Sequence, residues 1–480
     1  MTGQVADSPV ARLPFASRWR VGAATERLRA GRAPWALLAC VALAALTLLA
    51  PSQPTYDPWS WIIWGREVLH LHLSTTYGPS WKPLTVALTT VFALFGGAAP
   101  LLWVLTARAG ALVGVLFAFR LGRRLAGPTA GAVAAAVLLV APWFMRNAAM
   151  ANSEGLQVAF ALAAIERALA GRRGTAFWLG VGLGLLRPEA WPFIGLFGAW
   201  LVWRDRSRLL GVAAGLAVLP LLWLAPEKLG SGDWLRAAHR AQQPVSGTAA
   251  DAASPLLTVL REGWAMLGGP LHWALGAALV VALVRRDRRL LALVALVAAW
   301  TLLVAQMSAS GYSGNARYLV VPAALTIVVA VCGVAGAASA LARRLPVARG
   351  VGVVAAAALA AVVVTPWITP VRLSLRSVSE QARLTAQLGQ VVRRAGGAAA
   401  LRRCGDVATG AYLVPAVAWQ LGLQIDQVHL VATDPGTVLR VRTNPRSPSV
   451  PTLLPLAGAP VRTLAFASDW RVVTTCGGRR

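Results

Sequence analysis

Long apolar runs separated by short polar clusters set the organisation of this chain. A helix crossing the hydrocarbon core of a bilayer needs about 20 mainly apolar residues. Runs that meet or approach this length cover 34–51, 101–119, 128–144, 155–171, 175–187, 190–203, 209–225, 266–284, 290–307, 318–341 and 350–367, with the shortest pair at 175–203. The pattern predicts an α-helical polytopic membrane protein with about 11 transmembrane helices. No internal repeat at a solenoid period is visible.

The polar clusters between the runs give the orientation. Arg27, Arg29 and Arg32 precede the first run, Arg120, Arg123 and Arg124 follow the second, and Arg172 and Arg173 follow the fourth. Arg204, Arg206 and Arg208 follow the sixth, Arg285, Arg286, Arg288 and Arg289 the eighth, and Arg343, Arg344 and Arg349 the tenth. Short basic connections stay in the cytoplasm. All these clusters fall on that side if residues 1–33 are a cytoplasmic N-terminal segment. One more apolar stretch, 83–99 (PLTVALTTVFALFGGAA), would break the parity if it spanned. It starts at Pro83 and ends in Gly-Gly, so it is expected to lie along the outer interface within a long first outer loop, 52–100.

A transmembrane domain over 34–367 and an extracytoplasmic C-terminal domain over 368–480 follow from this threading. The tail has helical periodicity over 373–396 and short strand patterns over 426–432 and 437–443, which predict a small α/β domain. It also holds Cys404 and Cys476, whereas Cys40 and Cys332 sit inside apolar runs. Two cysteines in one polar segment point to a disulfide and an oxidising compartment. The polar, Arg-rich residues 1–33 carry no cleavable signal peptide pattern. The expected location is a bacterial plasma membrane, multi-pass, with the N-terminus inside and the C-terminus outside.

Composition adds two exclusions. Hydrophobic residues are 57% of the chain and charged residues 13%, too little charge for the outer faces of a soluble protein this long. Net charge is +28, with Lys82 and Lys228 the only lysines. A basic balance raises nucleic acid as a partner, but the arginines sit at the ends of apolar runs, where they serve topology and lipid headgroups. No nucleic-acid partner is expected.

Candidate chemistry concentrates in the first outer loop, TYDPWSWIIWGREVLHLHLSTTYGPSWKP. Its tryptophans, Trp59, Trp61, Trp64 and Trp81, fit either an interfacial aromatic belt or a stacking face for a sugar ring. Asp57, between Tyr56 and Pro58, fits a helix N-cap or a general base whose pKa is raised near the low-dielectric interface. His70 and His72, two residues apart, do not converge as metal ligands on a helix or a strand. Lys82 can hold a phosphate as a point charge or snorkel to the interface. Further ionisable groups lie at outer ends of later runs: Arg146 and Glu154 in MRNAAMANSEG, Arg187 and Glu189 in LLRPEAWPF, and Arg317 beside Tyr318 in GYSGNARYLVVP. Charges at membrane depth cost about 2.5–3.5 kcal/mol each and usually mark function; the structural alternative is a paired set such as Arg187 with Glu154.

This arrangement resembles the GT-C superfamily of membrane glycosyltransferases, nearest the branch of protein O-mannosyltransferases and the lipid A aminoarabinose transferase. The resemblance rests on Asp57 after the first span, then Lys82-Pro83, then Leu94-Phe95-Gly96. Arg108 followed by LGRRLAG, the stretch GVGLGLLRPEAWPF, and Gly314-Asn315-Ala316-Arg317-Tyr318 resemble later family motifs. It covers about residues 30–340, and the tail is similar only to tails on actinobacterial relatives. The family's second acidic residue is replaced by Pro58, and Glu67 or Glu154 are the candidates for its role.

The resemblance implies an inverting transferase that takes a sugar from a polyprenyl-phosphate donor to a hydroxyl on a glycan, lipid or protein. Asp57 would be the base, and Lys82, Arg187 and Arg317 would hold the donor phosphate. Tyr56, Trp59, Trp61, Glu67, Glu154, Glu189 and Tyr318 would line the pocket. It implies no cofactor, and the residues give no support for a divalent metal. The rival readings are a transporter or flippase of a lipid-linked sugar and a non-catalytic scaffold of envelope assembly. A flippase would show inverted repeats and midplane charges; here the charges favour the outer edge.

Overall fold

A computed structural model describes residues 34–243, 246–342, 351–431, 434–442 and 461–476. The expected cytoplasmic segment 1–33 and the cluster Arg343, Arg344 and Arg349 lie outside the described residues. Each apolar run of the sequence lies on a helix. The first is α1 (Pro34–Thr47). The expected first outer loop then forms α2 (Tyr56–Leu69) and α3 (Pro83–Ala93) before α4 (Ala99–Ala126). With 11 residues, α3 extends about 16 Å, well short of a bilayer.

Prolines in first turns then start α5 (Pro128–Leu139) and α6 (Pro142–Ala149), which meet at a 60° bend. The chain continues through α7 (Glu154–Leu169), α8 (Arg173–Gly184), α9 (Trp191–Arg204), α10 (Leu209–Ser231) and the short α11 (Arg236–Ala241). Next, α12 (Pro255–Leu267) and α13 (Gly269–Val284) meet at 98° across Gly268, whose φ is 77°. Finally come α14 (Arg288–Ala309), α15 (Val320–Ala342), α16 (Val351–Val364) and α17 (Ile368–Arg394).

Among the described residues, five stretches are long and apolar enough to cross a membrane, or seven if each bent pair is one span. That is fewer than the expected count because α1, α7, α8 and α9 are short; α8, at 12 residues, reaches only about 18 Å. The bundle is organised around α15, whose apolar window is 89% buried. It packs on α4, α5, α7, α13, α14 and α16, with Gly333 set directly against Ala278 of α13. Small residues let helix backbones approach this closely, as membrane bundles require.

Beyond α17 the chain adds α18 (Gly397–Arg402), β1 (Asp406–Ala408), α19 (Val414–Leu421), β2 (Val428–His429), β3 (Gly436–Val441), β4 (Arg462–Ala467) and β5 (Trp470–Thr474). The sheet order is β2-β1-β3-β5-β4; β1 is parallel to β2 and β3, and the other pairs are antiparallel. The two strand patterns seen in the sequence shrink to β2 and β3, and the β4–β5 hairpin carries no prior expectation. A Cys404–Cys476 disulfide ties the chain two residues before β1 to the chain two residues after β5.

The hydrophobic core has two main parts. One is the helix bundle. The other joins α2, α3 and the start of α4 to α17, α19 and the sheet. Both readings of the tryptophans needed exposed rings, and the structure corrects both. Trp61 and Trp64 are 0% exposed and Trp59 and Trp81 nearly so. They fill the second core, with Trp59 against Trp419 at 6.0 Å and Trp64 against Trp81 at 5.6 Å. Thus α2 is clamped between the bundle and the C-terminal domain rather than lying on a lipid surface.

The clamp depends on Gly65, where any Cβ would collide with the backbone of Thr89 on α3. Gly65→Ala is expected to destabilise by about 1–3 kcal/mol through overpacking, read as a lower thermal midpoint in nanodiscs. Gly97→Ala, at a site with open space, should leave the midpoint unchanged.

Candidate active site

Two residue-before-proline steps place two cations at one end of the bundle. Sterics push the residue before a proline into extended backbone. Lys82, before Pro83, has φ −137° and ψ 105°; Arg187, before Pro188, has φ −148° and ψ 115°. Both backbones are then fixed by neighbours. The Trp81 N–H donates to Glu227 Oε1 at 3.3 Å and its indole to Leu222 O at 3.1 Å. Arg236 holds Pro79 O and Gly78 O at 2.6 and 3.0 Å. Near Arg187, the indoles of Trp191 and Trp223 both donate to Gly184 O, at 3.1 and 2.9 Å.

Arg317 is presented by a single 3-10 turn, Ala316–Leu319, started by Asn315, whose Oδ1 accepts the Arg317 N–H at 3.0 Å. Arg317 Nη2 donates to Asp57 Oδ2 at 2.6 Å. Asp57 lies in the first turn of α2, which begins at Tyr56, so it is not the cap. The capping position is Thr55, whose hydroxyl donates to Asn152 Oδ1 at 2.8 Å.

Arg187 is the centre of the network. Its Nε donates to Gln157 Oε1 at 3.0 Å, Nη1 to Glu189 Oε1 at 3.4 Å, and Nη2 to Glu154 Oε1 at 3.2 Å. Nη2 also reaches Arg317 O at 3.5 Å, and the guanidinium lies 4.2 Å from the centre of the Tyr318 ring. Ser313 and Tyr318 share a hydrogen bond of 2.9 Å. Lys82 Nζ donates to Ser153 Oγ at 2.9 Å, which also accepts from Gln157 Nε2 at 2.9 Å. Its ammonium sits 4.7 Å from the Trp61 ring centre. One connected chain therefore runs Asp57–Arg317–Arg187–Gln157–Ser153–Lys82.

Electrostatics follow from this crowding. Burial alone would raise the Asp57 carboxyl, but Arg317, Lys82 and Arg187 outweigh it and hold the pKa below the ordinary carboxylate value. This corrects the expected raised value. Burial, helped by Arg187, brings Lys82 down to about 7.

The structure brings Asp57, Lys82, Glu154, Arg187, Glu189, Arg317 and Tyr318 into this one network. Tyr56 is half-buried beside it, in the field of Arg240 and Arg236. Trp61 forms the floor under Lys82, while Trp59 faces Trp419 instead. Glu67 lies apart, fully buried about 15 Å along α2. It accepts the Ser74 N–H at 3.0 Å, and burial pushes its pKa up to about 7. His70 and His72 are exposed, and no group of three or more His, Cys, Asp or Glu among the described residues could hold a metal. The sequence reasoning missed Ser153 and Gln157. Their signal was a polar i, i+4 pair at the start of an otherwise apolar run.

No family model and no curated protein matches this sequence. Solved structures do match. ArnT from Cupriavidus metallidurans bound to undecaprenyl phosphate has 15% sequence identity and a TM-score of 0.58, over 93% of this chain and 98% of ArnT. Its apo state gives 16% identity and 0.53, over 94% and 98%. An Archaeoglobus fulgidus oligosaccharyltransferase gives 13% identity and 0.48, over 82% and 62%. At such identity the ArnT likeness is one of fold, the GT-C fold that the motifs resemble. Its coverage is too large to leave out the C-terminal domain, so it extends past the residues that carried the resemblance in sequence.

Removing the central cation leaves two buried carboxylates without compensation. Arg187→Ala is expected to destabilise by about 3–5 kcal/mol, seen as a lower unfolding midpoint in detergent. Adding Glu154→Gln and Glu189→Gln should recover part of the loss.

Proposed function

We propose that this protein is an inverting glycosyltransferase of the outer face of a bacterial plasma membrane. It transfers a sugar from a polyprenyl-phosphate donor to a hydroxyl on a glycan, lipid or protein. The observation that carries the reading is one carboxylate, Asp57, in direct contact with a cation cluster of Lys82, Arg187 and Arg317. Inverting transfer needs a base for the acceptor hydroxyl and cations for the phosphate that leaves. The ArnT fold, in one structure holding undecaprenyl phosphate, supports a lipid-linked donor.

The acceptor oxygen attacks the anomeric carbon in line as its proton passes to Asp57. The bond from that carbon to the phosphate oxygen breaks, and its electron pair leaves with the phosphate. Lys82 and Arg317 meet the growing charge; Arg187 keeps Arg317 in place through its carbonyl. The arginine clusters support a topology of about 11 spans with the site outside. The short helices α1, α7, α8 and α9 then cross in the company of the longer ones. The Cys404–Cys476 disulfide supports an extracytoplasmic tail.

Asp57→Asn should lower transfer from a polyprenyl-phosphate sugar in vesicles by about 10²–10⁴-fold, the worth of a general base, at unchanged thermal stability. Turnover near normal would remove Asp57 from the mechanism. Movement of lipid across the vesicle with no glycosidic product would favour a flippase.

Lys82 gives a pH signature. Its charge is half lost near pH 7 in the empty site, and an arriving phosphate restores it. Binding then takes up a proton, so affinity falls as pH rises. Between pH 7.5 and 9 the Kd for polyprenyl phosphate should rise by up to about tenfold per pH unit. Lys82→Gln should bind weakly and show a flat profile.

A further inference from the structure

The two arginines of the site hold their carboxylates in different ways. Arg187 is committed: Nε, Nη1 and Nη2 each have a partner, and Glu154 and Glu189 are 0% and 5% exposed. Arg317 makes a single contact with Asp57 through Nη2, its Nε is buried with no partner, and the two side chains are 28% and 14% exposed. Lys82 has given only one of its three donors, to Ser153. An anion entering the site therefore finds free donors on Lys82 and Arg317, and reaching Arg317 fully means displacing Asp57.

We propose that the donor's phosphate exchanges with Asp57 on Arg317, and that this exchange creates the base, so that donor must bind before acceptor. The inference rests on the glycosyltransferase reading and deepens it. The exchange conserves charge: a singly charged phosphodiester replaces a carboxylate as the partner of one guanidinium. In the resting protein Asp57 Oδ2 is occupied by Arg317 Nη2 and is a poor proton acceptor. After exchange it loses that hydrogen bond and gains a neighbouring anion, and both changes raise its proton affinity. When the acceptor attacks, its proton goes to Asp57 and the second negative charge appears on the phosphate, still held by Arg317 and Lys82. Asp57 then gives up its proton to water, and departure of the lipid phosphate returns Arg317 to it.

The charged and titratable groups around Asp57 are Arg317 from the turn before α15, Lys82 before α3, Arg187 after α8 and Tyr56 beside it on α2. Arg187 is locked by Glu154 and Glu189, so only Arg317 and Lys82 are available to the donor.

The experiment compares two acid limbs in the full-length protein in nanodiscs, with a polyprenyl-phosphate sugar and a hydroxyl acceptor. The limb of kcat/KM for donor reports the empty enzyme, and that of kcat the loaded one. The kcat limb is expected at least one pH unit above the kcat/KM limb. In Arg317→Gln the gap should shrink to less than half, with a higher KM for donor. Coincident limbs in the native protein, or a kcat limb at lower pH, overturn the exchange while leaving the glycosyltransferase reading intact. A complete lack of sugar transfer overturns that reading, and the exchange with it. The native protein supplies the deciding comparison, so the result does not depend on the variant folding.

Discussion

Arg187 sits buried between Glu154 and Glu189, with Gln157 on its Nε and the Tyr318 ring under its face. An unpaired guanidinium at such a place would carry a desolvation penalty of several kcal/mol. The two carboxylates remove it, and each would be equally untenable without the arginine. This mutual dependence fixes the start of α7, the α8–α9 break and, through the Arg317 carbonyl, the turn before α15. The more exposed Asp57–Arg317 pair is built on that frame. One arginine is committed to structure, which leaves the other free to change partners.

The second constraint is the clamp on α2. A helix carrying Asp57 on a membrane surface would drift with the lipids around it. Here its tryptophans are locked into a core shared with the C-terminal domain. Arg66 donates to Leu423 O at 2.6 Å, and Ser74 to Asp426 Oδ2 at 2.6 Å. The domain therefore acts on the site mechanically: it holds α2 from one side while α3, through Gly65 and Thr89, holds it from the other.

Much of this was legible in the chain. Hydrophobic periodicity marked the bundle helices except α12, and the parity of the arginine clusters, with Pro83 and Gly96-Gly97, kept α3 out of the expected spans. Lone charges at the ends of apolar runs pointed to Asp57, Lys82, Glu154, Arg187, Glu189 and Arg317, because charge at such depth needs a reason. The tryptophans misled, since an aromatic next to a membrane looks the same in sequence whether it faces lipid, sugar or another domain. Glu67 misled similarly: it shares α2 with Asp57, but the helix carries it away toward Ser74.

The sequence by itself determined the helical membrane character, the clustering of ionisable groups near one end and the presence of a small C-terminal α/β part. These depend on the local cost of placing polar or apolar groups in lipid, which each segment expresses alone. Only the tertiary structure decided which charges meet. That Asp57 pairs with Arg317, 260 residues away, while Arg187 is consumed by Glu154 and Glu189, depends on contacts among separate elements. Those contacts also reverse the pKa expected of Asp57, because the balance between burial and nearby cations exists only once the helices have packed.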